Sequence, residues 1–230
     1  MILAIAAMES EYQELEAMMV NKSEGIATDI KYHLGKIKGK DVMLMLSGVG
    51  KVNAAYALTT ILNNFAVDFV INIGSAGGVV KDHDVKVMDV VIAKKVCNHD
   101  VDLTLANRLP GVLPNTPQYF ESAVTMEMLN AFETTGLSYH YATIASGDQF
   151  VCDLARIDYI TTHFEDVCAV EMEAGAIAQI CYLRKIPFVV FRSISDVVNQ
   201  YQDNQMQFEE YIKQASINSA RAASKIIEVL

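Results

Sequence analysis

Residues 170–196 read VEMEAGAIAQICYLRKIPFVVFRSISD. The middle of this stretch has the pattern of a helix followed by a buried strand. Its ends carry the chemistry. Glu171 and Glu173 bracket Met172 directly after the apolar run VCAV, and Arg192 and Asp196 terminate PFVVFRSISD. A strand–helix–strand unit of this kind belongs to an open α/β sheet, where ligands bind outside the carboxyl ends of the strands. Both ends of the stretch are therefore expected to face one sheet edge, and the rest of the chain can be read for what else reaches that edge.

The flanking sequence extends the alternation. Ile2 to Met8 is a short apolar run that reads as a first strand. Ser10 is a candidate cap for the helix after it, in which Leu15, Met18 and Met19 recur at helical spacing. Glu11 then falls in the first helical turn. It is either a carboxylate favoured there by the helix dipole or one pointing from the end of the first strand into a cleft. Lys31 to Ile37 and Asp41 to Ser47 read as strands joined at Lys38-Gly39-Lys40. SGVGK (Ser47 to Lys51) and a helical run follow, giving a strand–turn–helix cradle that lacks the spacing of a nucleotide fingerprint.

Val67 to Ile73 is a stronger buried strand. It runs into Gly74 to Gly78, GSAGG, read as a loop whose small residues let a ligand approach the backbone. Val85 to Val96 is read as a long strand. Asn98 to Phe120 holds three of the four prolines and is the least regular part; a loop of this length is usually functional or an interface. His99, Asp100 and Asp102 within it are read as polar surface, because no further His completes a ligand set. A helix over Ser122 to Thr135, a strand over Tyr139 to Ala145, the loop SGDQFV and a helix capped by Asp153 follow. Phe150 in that loop is either core filler or a platform for a flat ligand. Tyr201 to Gln205 is a polar connection, and Gln207 to Leu230 a final helix. The alternation, without repeat or linker, predicts one three-layer αβα domain over residues 1–230 with a mixed or parallel sheet.

Composition excludes several function classes. Hydrophobic residues make up 52% of the 230, enough for a sizeable core. The net charge is −10, which disfavours nucleic-acid binding through clustered cations. Four cysteines without a CxxC pair read as thiols in a reducing, cytoplasmic setting. No apolar run approaches the roughly 20 residues that span a bilayer.

Taken together, AMESE (Ala7 to Glu11), SGVGK, NIGSAGG (Asn72 to Gly78), SGDQFV (Ser146 to Val151), VEMEAGAIA (Val170 to Ala178) and RSISD (Arg192 to Asp196) resemble the bacterial 5′-methylthioadenosine/S-adenosylhomocysteine nucleosidases, in order and spacing, over nearly the whole chain. The resemblance implies the nucleoside phosphorylase fold and hydrolysis of the N-glycosidic bond of both nucleosides, and of 5′-deoxyadenosine, with release of adenine. It implies that Asp196 is the acid that protonates purine N7 and that Glu11 orients and deprotonates water. Glu173 then grips the ribose hydroxyls and Met172 lies against the ribose. Ser75 and Arg192 sit near the sugar and water, and Ser195 supports the acid. Phe150 stacks on adenine while the Val151 backbone reads its edge. Met8, Val49 and Phe208 wall the alkylthio tail. The resemblance also implies a homodimer whose 98–120 loop completes the partner's pocket through Leu103 and Pro114. It implies no metal and no organic cofactor. Ala106 stands where a relative places an aromatic, which implies a roomier tail pocket.

These roles suit the residue types. Breaking a purine–ribose bond requires a protonated leaving base, a stabilised sugar cation and a positioned water, work that carboxyl groups on opposite sides of a glycosidic bond share. A purine nucleoside phosphorylase is the rival on the same fold, but residues 1–107 contain no Arg to clamp phosphate. A nucleosidase for another 5′-modified adenosine, such as aminodeoxyfutalosine, and a noncatalytic binding protein are the other readings. The presence of Glu11, Glu173 and Asp196 disfavours the last.

Overall fold

The computed structural model describes residues 1–198 and 204–230. Among the described residues, eleven strands form one mixed sheet in the order β2-β3-β4-β1-β5-β11-β6-β10-β9-β7-β8, with a further β11–β7 pairing. The strands are β1 (Ile2–Ala6), β2 (Val20–Ala27), β3 (Ile30–Ile37), β4 (Lys40–Leu46), β5 (Phe69–Asn72), β6 (Ser75–Gly78), β7 (Val90–Asn98), β8 (Tyr119–Glu121), β9 (Tyr139–Ser146), β10 (Val167–Glu171) and β11 (Phe188–Val197). The helices are α1 (Glu9–Glu16), α2 (Lys51–Asn64), α3 (Met126–Glu133), α4 (Leu154–His163), α5 (Ala174–Arg184) and α6 (Asn204–Val229).

β11 holds the sheet together. Phe188–Val190 pair in parallel with β5, Phe191–Ser193 pair antiparallel with β7, and Ser193–Val197 pair in parallel with β6. Only a strand apolar on both faces can be covered this way, and FVVF followed by Ile194 supplies that. Because β6, β10, β9 and β7 also pair in succession, the strands from β11 round to β7 close on themselves. The second half of the sheet is thus not the open sheet the sequence suggests.

Two apolar clusters flank the strands. One joins α2 and α5 to the sheet through Leu58, Ile61, Ile177 and Cys181; the other joins α1, α3 and α6 through Leu15, Phe132, Ala223 and Ile226. A smaller one seats α4 through Ile157 and Ile160. No described helix is long and apolar enough to cross a membrane.

Several elements differ from the sequence expectation. GSAGG is not a loop: Ser75–Gly78 form β6, with Gly77 opposite Val170 and Gly78 opposite Val197. A Cβ on Gly77 would stand 3.3 Å from Val170, and one on Gly78 only 3.1 Å from Ile194, so small residues let this strand fit between its neighbours. The long strand begins at Val90 rather than Val85, because Asp89 Oδ2 accepts the Lys86 N–H at 3.0 Å and closes a turn. β2 was not anticipated; it is an exposed edge strand with little apolar sequence. Helix α1 starts at Glu9, after Met8, so Ser10 lies inside it and faces Ser216 of α6 instead of capping; Met18 and Met19 lie beyond its end. Asp153 does cap α4, accepting the Arg156 N–H at 2.8 Å. Of the connection expected at Tyr201 to Gln205, residues 201–203 lie outside the described residues and Gln205 is in α6.

Candidate active site

A cavity of about 260 Å³ opens at the carboxyl ends of the central strands. Its lining comes from the residues after β1, the turn after β4, strand β6, the loop after β9, the end of β10 and the end of β11. That is where the alternating pattern places a ligand site. These six stretches converge there because their strands lie close together in one sheet, and α6 adds a seventh contribution, Phe208.

Glu11 is 2% exposed and fully engaged. Its Oε2 accepts the backbone N–H groups of Ala7 and Met8 at 3.2 and 3.1 Å, and its Oε1 accepts the Ser75 N–H at 2.9 Å and the Ser75 hydroxyl at 3.1 Å. Burial raises its pKa above the ordinary carboxylate value, outweighing Arg192 and these donors, which pull it down. Gly74 makes room for the carboxylate: a Cβ there would lie 3.0 Å from Oε1.

Glu173 precedes α5. Its Oε1 accepts the Gly50 N–H at 2.8 Å, across from the turn after β4. Gly50 has φ +95°, a conformation that favours glycine and that presents this N–H. Burial, then the neighbouring Glu171 charge, pushes the Glu173 pKa up to about 8. Glu171 is the anchor beneath it, accepting the N–H groups of Glu173 at 3.1 Å and Ala174 at 2.9 Å. Arg192 donates to Glu171 and, at 2.6 Å, to Asn72 Oδ1. Asp196 is 2% exposed, and the Ser195 hydroxyl donates to its Oδ1 at 2.9 Å.

Phe150 is half-exposed at the mouth, edge-on to Phe208 of α6 with ring centroids 5.9 Å apart. The mouth is braced from outside. Lys51 Nζ donates to Asp100 Oδ1 at 2.5 Å, the Asp148 N–H to Asp100 Oδ2 at 2.9 Å, and the Lys51 N–H to Asp148 Oδ1 at 2.7 Å. Three connections are tied together by this triangle. His99 beside it is a buried imidazole whose Nδ1 accepts from Arg156 Nη2 at 2.8 Å; burial, and then that guanidinium, push its pKa down to about 4.

The family model described as the phosphorylase superfamily matches residues 1–230. A 5′-methylthioadenosine/S-adenosylhomocysteine nucleosidase from Anoxybacillus flavithermus is 37% identical over 234 aligned positions, covering 100% of this chain and 98% of that protein. This chain belongs to the 5′-methylthioadenosine/S-adenosylhomocysteine nucleosidase family. Within that family, a Neisseria meningitidis nucleosidase solved with methylthio-immucillin-A is 38% identical, with a TM-score of 0.90 over 100% of this chain and 99% of that one. The fold reaches further: a Helicobacter pylori futalosine hydrolase is 28% identical, with a TM-score of 0.92 over 100% of this chain and 97% of that one.

The pocket of this nucleosidase-family chain brings together Met8, Glu11, Val49, Ser75, Phe150, Val151, Met172, Glu173, Ser195, Asp196 and Phe208 from those named on sequence. Three named residues are not at its wall. Arg192, 1% exposed, lies behind the carboxylates, 3.9 Å from Glu173 Oε2, without lining the cavity. Leu103 and Pro114 are in the 98–120 loop, Pro114 exposed, and neither lines the pocket of its own chain. Glu171 was singled out on sequence beside Met172 but given no role at the site; the structure puts it in the pocket wall. Ala76 and Gly77 were read only as part of GSAGG, and the apolar Ala7 and Val170 and the amide Gln149 were given no role on sequence.

Proposed function

We propose that Asp196 and Glu11 divide the hydrolysis of an adenine nucleoside between them, as acid and as water-activating base. The chain is a purine nucleosidase that cleaves the N-glycosidic bond of 5′-methylthioadenosine and S-adenosylhomocysteine and releases adenine. 5′-Deoxyadenosine, which keeps the adenine and ribose, is a further substrate on this reading. The observation that carries the assignment of roles is that, of the four buried carboxyl groups lining the pocket, Glu11 in the first turn after β1 and Asp196 at the end of β11 come from different elements, with an aromatic ring at the mouth.

Adenine stacks on Phe150, with its edge toward the Val151 backbone and N7 toward Asp196. The Ser195 hydroxyl holds Asp196 in place. Ribose lies on Met172 with its hydroxyls at Glu173, and Glu11, fixed by Ser75, holds the water. Proton donation to the base leaves a cationic sugar. That charge favours the ionised forms of Glu11 and Glu173, whose pKa values burial has raised, so both contacts strengthen as the bond breaks. The 5′-tail runs toward Met8, Val49 and Phe208. In a homodimer, Leu103 and Pro114 of the 98–120 loop reach the partner's tail end. Helices packed on two sides of the strands support a three-layer αβα arrangement within one domain over 1–230.

Water rather than phosphate is the acceptor on this reading. Among the described residues no Lys or Arg lines the pocket, Arg192 is engaged with Glu171 and Asn72, and Lys51 with Asp100. A phosphate clamp needs such cations to face the ligand. Adenine release from 5′-methylthioadenosine should therefore proceed at full rate in phosphate-free buffer and yield the free sugar; ribose 1-phosphate formed only on adding phosphate would overturn this.

A further inference from the structure

The pocket lies at the carboxyl ends of β9 and β10, which run parallel. Near the opposite ends of the same strands is a second cluster. His140 on β9 and Cys168 on β10 meet His83 from the connection between β6 and β7. One ring nitrogen from each imidazole and Cys168 Sγ all lie within 4.8 Å of one another. Carboxylates stand at both rings: Asp89 Oδ2 is 3.0 Å from His140 Nε2, and Asp166 Oδ1 is 3.2 Å from His83 Nε2. His83 Nε2 is buried and makes no hydrogen bond among the described residues. Nothing in the nucleosidase chemistry uses this cluster.

We propose that His83, His140 and Cys168 bind a thiophilic divalent cation of the zinc class. Two imidazoles and a thiolate are a donor set that zinc takes, and one that calcium and magnesium do not. Carboxylates paired with the imidazoles are the outer arrangement that orients such ligands and raises their basicity. Bonds of about 2.0–2.3 Å in a tetrahedral site would put the donors roughly 3.3–3.7 Å apart, a closure the half-buried imidazoles can supply by side-chain movement. Asp89, Asp166 or water is at hand for the fourth position. The three ligands come from separate elements, far apart in sequence, so no spacing motif betrays them. The cation would tie the 79–89 connection to β9 and β10, and its role would be structural.

The competing account is that the rings only pack edge-to-face, centroids 6.1 Å apart, with Asp89 hydrogen-bonded to His140 and Asp166 as a charge beside His83. Titrating the chelator-treated full chain with Zn²⁺ and Co²⁺ separates the two. The proposal expects one Zn²⁺ per chain, a Zn²⁺-dependent rise in Tm, and a thiolate-to-cobalt absorption band with Co²⁺. The band should vanish in Cys168→Ala and persist in Cys152→Ala, which removes the exposed cysteine. His83→Gln, on a connection rather than in the core, should weaken Zn²⁺ binding about tenfold or more while adenine release by the metal-free protein stays at the wild-type rate. Absence of Zn²⁺ binding in the native chain, binding unchanged in His83→Gln, or a cobalt band that follows Cys152 would overturn it.

Discussion

At Glu11, the two readings open on sequence turn out to describe one carboxylate. It sits in the first turn of α1 and accepts the Met8 N–H there, and it also lines the pocket and holds Ser75. Sequence could place it at a strand end but could not reveal Ser75, which reaches it from β6. Glu173 shows what burial does to such a group. Its folded pKa, about 8, lies above the ordinary 4.5, so the folded chain binds this proton more tightly than the unfolded chain does. The resulting stability is fully present below about 4.5 and is lost as pH rises through about 8. Glu11, also raised, contributes with the same sign. Thermal melts of the ligand-free protein should therefore show Tm falling across that window, and Glu173→Gln should flatten part of the fall. An identical slope in wild type and variant would contradict the burial account.

Element types were legible where apolar periodicity was strong, as in β1, β5, β9, β10, β11 and α2. They were illegible where packing rather than pattern decides. Ser75–Gly78 has the composition of a loop but is a strand, because Val170 and Ile194 leave room for no larger side chains. The sequence of β2 is largely polar because the strand is an exposed edge, so it carries no burial signal. The loop expected over 98–120 was recognised by its prolines, although Asn98 belongs to β7 and Tyr119 and Phe120 to β8. Its short 3₁₀ turn, Thr104–Ala106, presents Leu105 fully to solvent and Ala106 beside it. If this turn seals a partner's tail pocket, Ala106→Phe should raise the kcat/KM preference for 5′-methylthioadenosine over S-adenosylhomocysteine, by the roughly 10- to 200-fold range that small apolar differences span at most. An unchanged ratio would remove the loop from the tail pocket.

Across the whole molecule, β11 links two halves that sequence read as one open sheet. The first half supplies Glu11 and the Gly50 turn; the closed second half supplies Ser75, Glu173 and Asp196. The site exists only where the halves meet, which is why single motifs were weak and their combination specific. The helix pair α2 and α5 also leaves large apolar side chains in solvent, including Val52 at 77% and Leu183 at 61% exposed, with Leu105 on the loop. In the proposed dimer these side chains are candidates for the interface. Sedimentation at working concentrations should return twice the 25.4 kDa chain mass, whereas a monomer would contradict the dimer and the shared tail pocket.

The division of labour between the two buried carboxyl groups is tested most directly at Asp196. Adenine release from 5′-methylthioadenosine would be followed in phosphate-free buffer for wild type and for Asp196→Asn, with folding checked by circular dichroism. Removing the proton donor should slow release by about 10²- to 10⁴-fold with the fold intact. A folded Asp196→Asn protein that releases adenine at the wild-type rate would contradict the assignment of the acid and the mechanism built on it.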